Sequence, residues 1–96
     1  MINPKDSGLL IFSLLCKEMV ATGKCGQYDG PKISIALNLK NIDVNNGVEF
    51  LDQRGLIKVI HYKASPYNFG FIELNLKGKE FYSNSKDKVE RSSIGY

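Results

Sequence analysis

Val44-Asn45-Asn46-Gly47-Val48-Glu49-Phe50-Leu51-Asp52-Gln53-Arg54-Gly55-Leu56-Ile57 reads as one helix that turns abruptly into a strand. Val44, Gly47, Val48 and Leu51 recur at i, i+3, i+4 and i+7, a single apolar stripe, while Asn45, Asn46, Glu49, Asp52 and Gln53 fall mostly on the opposite side. One face packs and the other is free to read something. Gly55 stands where a helix end calls for a left-handed residue, and Leu56 can fold back over the last turn, so the helix stops near Arg54.

Downstream, Leu56 to Lys63 is rich in β-branched and aromatic residues, as is Phe69 to Leu76. Both suit strands on a half-buried pleated surface. Between them Ala64-Ser65-Pro66-Tyr67-Asn68 carries a proline and turn-forming side chains, so the two strands form a hairpin with a loop at its tip. Leu74-Asn75-Leu76-Lys77-Gly78-Lys79-Glu80-Phe81-Tyr82 then opens a short last helix, with Asn75 placed to cap it.

Helix, Gly-Leu-Ile, hairpin and capped helix together resemble the winged helix-turn-helix superfamily, over roughly Ser7 to Ser83. In many bacterial regulators of that kind the wing ends in a Leu-Thr-x-x-Gly-type start to the last helix, and Asn75 stands here in place of the usual Thr. The resemblance implies an α+β fold: a three-helix core, a C-terminal β-hairpin wing and a short terminal helix. Residues 1–83 would form that domain, and 84–96, polar and mixed in charge, a frayed tail.

Upstream, Asn3-Pro4 supplies an N-cap and a first helical residue and Asp6 suits the first turn, so a first helix runs from about Pro4 to Thr22 and ends at Gly23. Its apolar face is too wide for one stripe. Either it forms the centre of a small core, or part of it makes a homodimer interface together with the C-terminal helix. Residues 24–30 form a Gly-containing loop, with room for a short strand that adds a third member to the sheet. Residues 31–39 are ambiguous: Ile33 to Leu39 alternates with period two, which argues strand, while Pro31 suits a helical first position and the resemblance places a short second helix there. Helix is the reading adopted, with Asn41 or Asp43 capping the third helix.

With 96 residues, one domain and one modest core are expected. A formal net charge of +3 is compatible with polyanion binding but does not demand it. Leu9 to Val20 is shorter than the roughly 20 apolar residues of a bilayer span, and Lys17-Glu18 stand where a signal cleavage site would be, so a cytoplasmic protein without membrane contact is expected. Cys16 and Cys25 read as reduced thiols, and one His with no Cys-x-x-Cys spacing argues against a metal. His61 has no Asp, Cys or second His at a useful spacing. No nucleophile motif, carboxylate pair or cofactor loop is present, so a non-enzyme without cofactors is expected.

The resemblance implies that the third helix enters the major groove of double-stranded DNA and that the wing touches the backbone or minor groove. Asn45, Asn46, Glu49, Gln53 and Arg54 are then the candidate readers on the helix: Asn and Gln amides match the adenine edge, and Glu accepts from cytosine N4. Lys32, Lys40, Lys58, Lys63, Tyr67 and Asn68 are the candidate contacts on the wing and flanks. Asp43, Glu49 and Asp52 oppose a polyanion, so the lysines must supply the neutralisation. The alternative is a protein-interaction module on the same scaffold, with that polar face simply solvated.

Overall fold

The structure, a computed structural model, describes residues 3–24, 26–62 and 65–83. The tail expected at 84–96, Cys25 and Lys63 lie outside the described residues.

Helix α1 (Pro4–Thr22) begins where the Asn3 side chain accepts from the Lys5 amide at 2.8 Å and ends at Gly23, whose φ of 74° lets its N–H reach the Met19 carbonyl. Strand β1 (Tyr28–Asp29) leads directly into α2 (Gly30–Leu37), because the Asp29 side chain accepts from the Lys32 amide at 2.9 Å. The ambiguous segment is therefore helical. Its apparent alternation dissolves on the helix: Ile33 is fully buried while Ile35 is 83% exposed. The helix starts one residue before Pro31 and stops at Asn38, whose φ of 53° reverses the chain.

Helix α3 (Asn41–Gln53) departs from expectation at its start. Lys40 occupies the cap position and its side chain makes no capping hydrogen bond; Asn41 is already helical, and Asp43 turns inward to 4% exposure. The cause lies upstream. Leu39 is buried, and the Ser34 hydroxyl and carbonyl both bond its backbone, so the turn is closed before either polar residue can reach a cap position.

Gly55, at φ 69°, turns the chain from α3 into β2 (Ile57–Ile60), which pairs antiparallel with β3 (Phe71–Leu74). β1 adds on the other side, giving a three-stranded antiparallel sheet in the order β1-β3-β2. A last helix, α4, occupies residues 76–83. The Asn75 side chain accepts from the Gly78 amide at 2.8 Å and donates to the Gly55 carbonyl at 2.7 Å, so one amide caps α4 and fastens it to the α3–β2 turn. Gly78 is required there, since a Cβ would stand 2.1 Å from the Leu56 carbonyl oxygen.

The chain is thus α+β, with four helices and one small sheet among the described residues. Ile11, Leu15, Ile33, Val44, Leu51, Phe69 and Ile72 fill the centre. The stripe read from the sequence, Val44, Gly47, Val48 and Leu51, is the buried face of α3. It meets α1 where two glycines face each other. A Cβ on Gly47 would fall 2.9 and 3.0 Å from backbone atoms of Ser7 and Gly8, so the two helices approach nearly backbone to backbone. No helix among the described residues is long and apolar enough to cross a membrane.

Candidate functional site

With its apolar stripe spent on the core, α3 presents Ile42, Asn46, Glu49 and Gln53 as an outer row at helical spacing, with Asn45 and Asp52 beside it. Glu49 sits centrally. It borders a cleft of about 260 Å³ between α3 and the hairpin, floored by Val48, Val59 and Phe69 and edged by Asp52 and His61. It also borders a shallower groove beside Pro4, shared with Asn46 and Gln53. The Gln53 amide lies 3.5 Å from the Glu49 carboxylate, at the limit of a hydrogen bond.

Asn45 is occupied differently from its neighbours. Its Nδ2 donates to the Pro66 carbonyl at 3.1 Å and its Oδ1 accepts from the Asn68 amide at 2.9 Å. The side chain mimics a backbone pairing and ties the hairpin tip to α3. Tip and helix therefore act as one surface, with Asn45 as the fastener. A polar residue on the outer helix face gives no sign of this in the sequence, because its partners lie more than twenty positions away.

Tyr67 also packs. Its ring occupies the space a side chain at Gly30 would need and meets Phe69 edge-on at 6.0 Å, joining the tip to the start of α2. Tyr62 likewise covers Gly70 and stands 5.5 Å from Phe71.

The cations are distributed unevenly. Lys40 is exposed at the N-terminus of α3, and Lys32, at the start of α2, holds its ammonium 4.2 Å from the Tyr28 ring centroid. Lys58 stands opposite Glu73 in the register; since Val59 faces the α3 cleft, Lys58 lies on the other face of the sheet. Arg54 stacks its guanidinium 4.7 Å from the Phe50 centroid, on the side of α3 that faces α1 and α4. The structure thus brings together Asn45, Asn46, Glu49, Gln53, Tyr67 and Asn68, leaves Lys40 at the N-terminus of α3 and Lys32 at the start of α2, and separates Lys58 and Arg54 from that surface.

Behind α2, Tyr28 is buried and its hydroxyl pKa is pushed up to about 12, first by burial and then by the hydrogen bond to Glu18 and that carboxylate's negative charge. This arrangement anchors β1 against α1 and belongs to the scaffold. No group of three or more His, Cys, Asp and Glu among the described residues could hold a metal ion.

No protein-family model, no curated protein and no solved structure matches the chain.

Proposed function

We propose that this chain is a winged-helix protein that binds double-stranded DNA as a transcriptional regulator, laying the outer face of α3 in the major groove with the hairpin as its wing. One observation carries the reading: a polar helix face and a hairpin tip are joined into one surface by Asn45. The succession α1-β1-α2-α3-β2-β3, with sheet order β1-β3-β2, supplies the matching scaffold.

In this arrangement Asn46 and Gln53 offer amides to base edges and Glu49 accepts from cytosine N4, while Lys40 at the leading end of α3 and Lys32 at the start of α2 contact phosphates. Titration of labelled random duplex at two salt concentrations tests it. Binding at low salt that weakens steeply at higher salt is expected, because each neutralised phosphate releases counterion.

A second reading rests on the cleft beside α3. Glu49 and Asp52 share it with His61 over an apolar floor, a composition that suits a basic segment of a protein partner better than a phosphate. Absence of any duplex binding at low salt would transfer the assignment to it.

A further inference from the structure

A second cleft, on the far side of α3, belongs to neither reading. It has a volume of about 360 Å³ and is bounded by α1, the end of α3 and α4. Its floor is Leu51 and Leu56, both buried in the core. Phe12, Phe50 and Phe81 form its walls, with Phe12 and Phe81 packed edge-to-face at 5.7 Å. Among the described residues, the charged ones lining it are Lys5, Arg54 and Lys77, with no carboxylate. Arg54 is held at the mouth by its stacking on Phe50, and Lys77 lies over the Gly55 turn.

From this combination we infer that the cleft binds a small anionic amphiphile: an acyl or aryl body seated on the phenylalanines, with a carboxylate or sulfonate met by the three cations. The volume falls in the range of small-molecule sites, about 300–1,000 Å³, and such sites are mostly apolar with a few convergent polar groups. A DNA phosphate satisfies the rim but leaves the apolar floor exposed to water. A second copy of the chain, the occupant expected from a homodimer through the first and last helices, fits poorly. An isologous contact brings each patch against its own image, stacking one cationic rim on the other. The apolar body and the anionic head must therefore come together in one molecule.

The test uses the full chain and anilinonaphthalene sulfonate, a fluorescent aryl anion, displaced by octanoate or by octanol. These two share a chain length and differ in the charged head. Octanoate is expected to displace the probe about tenfold more tightly than octanol, the worth of a charge-assisted contact. The double variant Lys5→Glu, Lys77→Glu should abolish that preference while leaving octanol displacement in place. Lys77→Gln, a milder change at an exposed site, should lower the preference part-way, and it serves if the double variant does not fold. Equal displacement by octanoate and octanol overturns the inference, as does an unchanged preference in Lys77→Gln. So does a sedimenting dimer to which the probe does not bind. None of these readouts involves DNA, so they stand or fall separately from the duplex proposal.

Discussion

At the scale of single residues, two side chains do work that their positions in the chain conceal. Asn45 makes two bonds to the hairpin tip, and truncation removes both while leaving the Asn68 N–H to solvent. Asn45→Ala should cost about 1–2 kcal/mol in urea denaturation, with faster hydrogen exchange at the Asn68 amide. Asn45→Asp, which keeps the acceptor and loses the donor, should fall between. Tyr28 is the second. Its folded pKa of about 12 lies above its ordinary 10.0, so the native state holds a proton that the unfolded chain releases. Its contribution to stability is therefore complete below pH 10.0 and is lost as the pH rises towards 12. Ultraviolet titration of tyrosinate should show a late step near pH 12 that Tyr28→Phe removes. In Glu18→Gln that late step should move down, stopping short of the ordinary value because burial, the larger cause, persists. Neither residue was legible in this role, since sequence patterns report which face a residue occupies and not what it meets across the fold.

At the scale of elements, legibility follows how local the determining interaction is. Asn3-Pro4, Gly23, Gly55 and Asn75 mark helix boundaries through contacts within a few residues, and all four stand at the boundaries read from the sequence. The hairpin was legible from its own strand and turn residues; the third strand was read only as one option, because its partner lies more than forty positions away. The cap of α3 was not: Lys40, Asn41 and Asp43 lie so close together that only the burial of Leu39, a tertiary event, decides where the helix starts. Nor was the crossing of α1 over α3, because the stripe shows that Gly47 packs but not that Gly8 lies opposite. Here the two glycines can be distinguished. At Gly47 the added methyl meets backbone of Ser7 and Gly8, which cannot give way without separating the helices; at Gly8 it meets first the Phe50 ring, which is only partly buried. Gly47→Ala should thus destabilise by about 2 kcal/mol despite its better helix propensity. Gly8→Ala should cost less, and chemical denaturation of the two variants measures the difference.

For the molecule as a whole the governing quantity is charge. A net +3 on 96 residues produces little long-range attraction for a polyanion, so duplex affinity must come from a few cations placed beside the reading face. Lys40, exposed at the N-terminus of α3, and Lys32, at the start of α2, are the cations assigned to that role; Lys58, opposite Glu73 on the other face of the sheet, and Arg54, stacked on Phe50 at the second cleft, are turned away from it. Each phosphate contact contributes roughly −0.9 to the slope of log affinity against log salt, so with two such lysines the slope should be no steeper than about −2. Lys40→Glu should make it shallower by about one. Glu49, central on the face offered to the duplex, opposes binding wherever it does not meet a cytosine, so Glu49→Gln should raise affinity for random duplex by about threefold and weaken preference among sequences. The two variants pull in opposite directions only if α3 faces the phosphates. If Glu49→Gln leaves duplex affinity unchanged while Lys40→Glu lowers it, the contact is made by the lysine end alone, and α3 is not the element that reads.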